Sequence, residues 1–242
     1  MAGWPSRAAW VNARSPLKES PVYVCNPSSP PQFLTRLAGV IFDCDGVLVD
    51  SRDANRMYYN LIREGLGMLP ITPEEEAYVH MHSVTECLAR IIPADRLAEA
   101  DEVRANLNYA DIFPYIFLED GLVEFLELLA GLGIRMAVHT NRTNTTELLL
   151  RHFEIDRFFA PVVNAGSLKR PKPDPEGVHS ILSAWGLPTE TVAYIGDSAL
   201  DERSAAAAGV AFWSYKNPAL AAAMFVPDFV TLRSCLAGMR AG

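Results

Sequence analysis

The sequence contains no CxxC pair, and its four cysteines, Cys25, Cys44, Cys87 and Cys235, lie far apart. That spacing suggests neither a zinc site nor a disulfide framework, and scattered thiols suit a reducing compartment, so a cytoplasmic location is expected. There is no run of about 18 apolar residues, so no membrane span is expected. The first 37 residues hold six prolines but no apolar stretch of the secretory kind. Positive charge is scarce: 21 Lys and Arg face 29 Asp and Glu, for a net charge of −8. That balance argues against a nucleic-acid surface, which needs concentrated Lys and Arg. Lysine is absent between Lys18 and Lys169, and no internal repeat or low-complexity tract occurs beyond Ala205-Ala206-Ala207-Ala208.

At 242 residues the chain can hold one domain with an insertion, or two small domains. Its plan starts at Val40-Ile41-Phe42, an apolar run of the kind that forms a strand buried on both faces. The run stops at Asp43 and Asp45, followed at once by Gly46. Side chains alternate along a strand, so the two acids point the same way if the strand continues. Gly46 permits a sharp departure of the backbone. Cys44, between the acids, reads as a small packing residue, with a reactive thiol as the alternative. Acids at the carboxyl end of a buried strand lie where open α/β sheets place their ligands.

Beyond Ser51 the pattern turns helical. Ala54, Met57, Tyr58, Leu61 and Ile62 recur at helical spacing as far as Gly65 and Gly67. Thr72-Pro73-Glu74-Glu75-Glu76 is a helix start, with a Thr cap, a first-turn proline and acids at the positive end of the dipole. A break is expected near His82-Ser83. Cys87, Leu88, Ile91 and Ile92 then extend an apolar face, and a third helical stretch runs from about Ala94 to Tyr109. Residues 52–116 therefore read as an all-helical insert, a lid over the acidic strand end. From Gly121 onward helices and strands alternate. The fold class expected is α/β: a doubly wound, mainly parallel, Rossmann-like sheet with a small helical cap inserted after the first strand. The expected division is a core of residues 38–51 and 117–242, a cap of 52–116, and a poorly ordered or loosely packed extension of 1–37. Within that extension Val22-Tyr23-Val24-Cys25 suggests a short strand.

Three predicted strands end in polar residues at one edge: Asp43 and Asp45, Thr140 and Asn141, and Asp197 with Asp201 four residues on. A loop carrying Lys169, Arg170 and Lys172 adds positive charge. Four motifs in this order resemble those of the haloacid dehalogenase (HAD) superfamily, in the form with a helical C1-type cap. Asp43-Cys44-Asp45-Gly46-Val47-Leu48-Val49-Asp50-Ser51 resembles DxDGxLxDS, and Thr140-Asn141 resembles the second motif, a hydroxyl at a strand end. Lys172-Pro173-Asp174-Pro175-Glu176 resembles KPxP[DE], and Gly196-Asp197-Ser198-Ala199-Leu200-Asp201 resembles GDxxxD. The resemblance spans about residues 38–232 and is of the phosphoglycolate-phosphatase-like and β-phosphoglucomutase-like kind.

The resemblance implies chemistry that the residue types suit. Asp43 is expected to attack phosphorus and form an aspartyl-phosphate. Mg²⁺ is expected on the side chains of Asp43 and Asp197 and, by resemblance, the backbone carbonyl of Asp45. Asp201 supports the metal or Lys172. Asp45 is expected as the general acid and then the base. Thr140 and the backbone of Asn141 are expected to hold phosphoryl oxygens, and Lys172 to offset the crowded negative charge. Arg170 is the alternative for the third motif, and Lys172 is preferred for its spacing to Gly186.

The carboxylate at Asp45 disfavours dehalogenase and phosphonate-hydrolase chemistry. The missing cap lysine also disfavours the latter. The expected activity is hydrolysis of a small phosphorylated metabolite by a monomer or homodimer. The alternatives are a phosphosugar mutase of the β-phosphoglucomutase type and a catalytically idle binding or regulatory protein. Arg52, His82 and Ser83 are candidate substrate contacts, weighed against solvated arginines and a core histidine.

Overall fold

A computed structural model of the chain describes residues 23–26, 31–80, 84–143 and 145–240. In chain order the first elements are β1 (Tyr23–Val24), β2 (Gly39–Phe42), β3 (Val49–Asp50), α1 (Arg52–Gly65), α2 (Pro73–Val79), α3 (Val84–Ile91) and α4 (Leu97–Ala105). Next come β4 (Phe117–Leu118), α5 (Leu122–Gly131), β5 (Arg135–Thr140), α6 (Thr146–His152), β6 (Val162–Asn164) and α7 (Glu176–Trp185). The chain closes with β7 (Val192–Gly196), α8 (Ala199–Ala208), β8 (Ala211–Tyr215), β9 (Met224–Val226) and α9 (Phe229–Arg240).

Among the described residues the main sheet has seven strands in the order β1-β9-β8-β7-β2-β5-β6. Every pairing in it is parallel. All of β2 is buried, as its apolar run predicts. Alternation then divides its side chains between two cores. Val40 and Phe42 join the apolar cluster that includes Phe125 of α5 and Phe229 of α9, whose rings stack at 5.4 Å. Ile41 joins the opposite cluster, with Ile181 and Trp185 of α7 and Ala205 of α8. Helices thus cover both faces, and the expected doubly wound α/β fold is what forms. The chain moves outward from β2 through β5 to β6, then returns to β7 on the other side of β2. That reversal makes a crevice at the carboxyl ends of β2 and β7.

Helices α1 to α4 bury a separate apolar cluster, including Tyr59, Ile62, Val79, Leu88, Ile91 and Ala100. The short antiparallel pair β3–β4 joins the points where the chain leaves for these helices and returns from them. The start of α2 is a capping box: the Glu75 N–H donates to Thr72 Oγ1 at 3.2 Å, and the Thr72 N–H donates to Glu75 Oε2 at 2.7 Å. α4 stops at Ala105, short of the expected Tyr109, because Asn106 turns its amide back onto the Glu102 carbonyl and Asn108 caps a separate 3₁₀ turn.

The extension expected over 1–37 is packed where it is described. β1 pairs with β9, and Cys25, Leu34 and Leu37 are buried in the first apolar cluster. Apolar side chains spaced among the prolines explain this: Cys25 meets Cys235 of α9, and the Phe33 ring lies 6.0 Å from that of Trp213 in β8. The fold also brings Cys25 and Cys235 together, with sulfurs 2.6 Å apart. Sequence spacing does not foretell that meeting. Among the described residues, no helix is long and apolar enough to cross a membrane. Replacing Thr72 by Ala removes an N-cap acceptor and should lower stability by about 1 kcal/mol in urea denaturation, with Thr72→Ser near wild type.

Candidate active site

The acidic site grows from the ends of β2 and β7. β2 ends at Phe42, and the Asp43 N–H still donates to the β7 carbonyl of Ile195 at 2.9 Å. Beyond Asp43 the strand does not continue, so Asp43 and Asp45 do not share a strand face. The chain enters a tight turn in which Gly46 has φ +74°. A Cβ at Gly46 would lie 2.1 Å from Asp197 Oδ2, so glycine is required both by the backbone and by the neighbouring carboxylate. Cys44 is fully buried, and burial followed by the charge of Asp45 pushes its thiol well above the ordinary value, which suits the packing reading.

Asp43, Asp197 and Asp201 each offer an oxygen within 4.8 Å of the others. Asp43 and Asp201 are buried, and Asp197 is half-buried. Lys172 Nζ lies 2.7 Å from Asp43 and 2.7 Å from Asp201. Burial alone would lower the pKa of this lysine, but the charges of Asp201 and Asp43 outweigh it and hold the ammonium charged. Asp201 is drawn below the ordinary carboxylate range, because the charge and hydrogen bond of Lys172 overcome burial. Burial and the charge of Asp201 push Asp43 upward, and the same two causes push Asp197 up to about 7. One ammonium thus faces three carboxylates. A set of hard oxygens with surplus negative charge is the donor chemistry of a small divalent cation such as Mg²⁺.

Lys172, and not Arg170, occupies the site. Arg170 is 71% exposed and reaches Asp174 and Glu176. The side chain of Asn141 fixes Lys172 through its backbone: Asn141 Oδ1 accepts from the Lys172 N–H at 3.0 Å, and Nδ2 donates to the Lys172 carbonyl at 3.2 Å. Thr140 is buried at the end of β5, and its hydroxyl accepts from the Arg142 N–H at 3.1 Å. Asp201 does two things in this arrangement. It is the third residue of an N-terminal capping box on α8 with Ser198, whose hydroxyl donates to Asp201 Oδ2 at 2.5 Å, and its Oδ1 accepts from Lys172.

Several partners lie outside the residues expected at the site. Arg142 is mostly buried and grips Asp45 with two bonds, Nε to Oδ2 at 2.7 Å and Nη2 to Oδ1 at 2.6 Å. Ser51 Oγ donates to Asp45 Oδ1 at 2.5 Å. Burial works to raise the pKa of Asp45, but the charge and bonds of Arg142, with that of Ser51, bring it below the ordinary range. Arg142 also donates to the Tyr109 hydroxyl at 3.0 Å. Tyr194 of β7 donates to Asp201 Oδ1 at 3.0 Å, and its hydroxyl lies 3.2 Å from His139 Nδ1. Burial and the nearby Lys172 charge lower the pKa of His139 to about 3, so this imidazole is neutral. The position of Arg142, next after Thr140-Asn141, was the available hint.

The candidate substrate contacts fare differently. Arg52 is exposed and forms a paired contact with Asp50, at 3.1 and 2.7 Å. It lines a polar cleft of about 280 Å³ with Asp50, Asp53, Glu76, His80, Tyr115 and Phe117, a lining that includes none of Asp43, Asp197 and Asp201. His82 and Ser83 lie outside the described residues.

Residues 40–214 match the family model described as haloacid dehalogenase-like hydrolase. The phosphoglycolate phosphatase 1 of Pseudomonas aeruginosa is 30% identical over 76% of this chain and 71% of its own length. The phosphoglycolate phosphatase of Pseudomonas savastanoi is 29% identical over 71% of this chain, which spans 66% of that relative's length. A crystal structure of a HAD-superfamily hydrolase, subfamily IA, variant 1, from Geobacter sulfurreducens superposes with a TM-score of 0.76 at 32% identity, over 83% of this chain and 97% of that one.

Lys172→Met would strand two buried carboxylates and should cost on the order of 3 kcal/mol in denaturant titration. Arg170→Met should stay within about 0.5 kcal/mol of wild type.

Proposed function

The chain belongs to the haloacid dehalogenase-like hydrolases, and we propose that within them it is a Mg²⁺-dependent phosphatase acting on a small phosphorylated metabolite. The observation that carries this reading is Lys172 bridging Asp43 and Asp201 beside Asp197, at the carboxyl ends of β2 and β7. Asp43, Asp197 and, through its backbone carbonyl, Asp45 would hold the ion, with Asp201 supporting it. When bound, Mg²⁺ screens the negative charge that Asp43 and a phosphoryl group bring together.

In the first step an Asp43 oxygen bonds to phosphorus as the bond from phosphorus to the leaving alcohol breaks. A proton from Asp45 goes to the departing oxygen. In the second step Asp45 takes a proton from water, whose oxygen attacks phosphorus, and Asp43 leaves as a free carboxylate with release of inorganic phosphate. Thr140 and the Asn141 N–H bind phosphoryl oxygens, and Lys172 offsets the charge that builds on them. Gripped by Arg142, Asp45 is a carboxylate, the form that serves the second step. To serve the first it must take up a proton. A phosphoryl dianion draws the Arg142 guanidinium toward itself and loosens that grip. The helices of 52–116 act as the cap over the site, and exclude bulk water while the intermediate forms.

Hydrolysis is preferred over phosphosugar mutation because 52–116 supplies no lysine to hold a second phosphoryl group. The relatives' names make phosphoglycolate the first compound to assay, within a wider metabolite panel. Asp43→Asn should lower phosphate release by roughly 10³-fold or more without loss of folded structure. Chelation should abolish turnover and added Mg²⁺ restore it. Isomer formation without free phosphate would mark a mutase, and full turnover by Asp43→Asn would overturn the mechanism. Arg142→Met should lower kcat by less than the roughly 10²–10⁴-fold due to an acid–base group itself, as read beside Asp45→Asn.

A further inference from the structure

The two ends of the described chain meet at a pair of thiols. Cys25 follows the edge strand β1 and Cys235 lies in α9, 210 residues on, yet their sulfurs are 2.6 Å apart. Both are buried, at 3% and 0% exposure, and neither touches the carboxylate cluster's hydrogen-bond network. A disulfide needs about 2.05 Å between sulfurs, and the two sulfurs already stand at 2.6 Å. Cys44 belongs to the same large apolar cluster but sits in the turn after β2, and Cys87 is buried in the separate cluster of α1 to α4.

We propose that Cys25 and Cys235 are a redox pair, forming a reversible disulfide with a low-molecular-weight disulfide as the oxidant. The reaction is an exchange. The Cys25 thiolate attacks one sulfur of the small disulfide, which expels one small thiolate and leaves a mixed disulfide. Cys235 then attacks the Cys25 sulfur and expels the second small thiolate. Two protein thiols are oxidised, one small disulfide is reduced to two thiols, and the protons of Cys25 and Cys235 end on those two thiols.

The packing sets how this exchange is reached. Burial, and then the hydrogen bond and charge of Cys235, push the Cys25 thiol well above its ordinary value, and burial raises Cys235 as well. The closed pair is therefore a poor nucleophile. β1 is the release point. It is two residues long, Tyr23 and Val24 are 50% and 62% exposed, and it is held at the sheet edge by Tyr23 N–H to the Ala223 carbonyl and Cys25 N–H to the Phe225 carbonyl. Opening the β1–β9 edge and the Tyr23–Phe33 ring contact at 5.8 Å brings Cys25 to solvent and leaves Cys235 on its helix as the resolving thiol. Oxidised, the pair ties the first sheet strand to the last helix.

The test uses the full chain, reduced and then incubated with oxidised glutathione, with thiols counted in denaturant after an acid quench. Four free thiols should fall to two. Digestion should yield one linked pair containing Cys25 and Cys235, and the melting temperature should rise by several degrees and return with dithiothreitol. Cys235→Ser should give no linked pair and stop at a glutathione adduct on Cys25. Retention of four thiols, a glutathione adduct as the end product in wild type, linkage through Cys44 or Cys87, or an unchanged melting temperature of the linked form would each overturn the proposal. Phosphate release is not read in this experiment, so it stands or falls apart from the proposed activity.

Discussion

The site depends on one buried cation held between carboxylates. Three acids gathered at two strand ends repel one another, and burial makes that repulsion costly. The Lys172 ammonium, 2.7 Å from two of them, makes the arrangement tolerable. Much of the surrounding structure keeps that ammonium in place. Asn141 holds its backbone, while Ser198 and Tyr194 hold Asp201 from two sides. The parallel register of β2 and β7 brings Asp43 beside Asp197. Gly196 shares the steric part of the Gly46 constraint, since a Cβ there would fall 2.4 Å from Asp201 Cβ.

A second ion pair, between Asp45 and Arg142, joins three parts of the chain. Asp45 lies in the turn after β2, Arg142 in the loop after β5, and Tyr109 at the far end of the helical insert. A displacement of the insert is therefore felt by the Arg142 guanidinium, and through it by the carboxylate assigned to proton transfer. Electrostatic grip and helical position are coupled by contact, with no need for a longer pathway.

Much of the fold was legible because burial writes a period into the chain. β2 is an unbroken apolar run because both its faces are covered, and α2 begins at Thr72 because its cap, proline and acids all agree. The acids Asp43, Asp197 and Asp201 could be grouped because strand ends of a parallel sheet share an edge. Pairings across long separations left no such trace. Arg142 meets Asp45 across 97 residues, His139 meets Tyr194 across 55, and Cys25 meets Cys235 across 210. Periodicity tells which way a side chain faces, not which partner it finds there. Asp43 and Asp45 would share a face only on a continued strand, and the chain instead turns at Cys44, whose carbonyl accepts from the N–H groups of Leu48 and Val49. Proline-rich composition likewise concealed Leu34 and Leu37, which need only a few well-placed contacts to be buried.

The Asn141 amide offers one donor and one acceptor to the backbone of Lys172, as a rung between two strands does. Its side chain is also among the more exposed in the site. Slow hydrolysis of that amide to a carboxylate would replace the donor by a second acceptor, set against the Lys172 carbonyl. The loop would be unlatched while every charged residue of the cluster remained intact. The placement of the charged cluster would then depend on the chemical state of a single neutral side chain as well as on its acids.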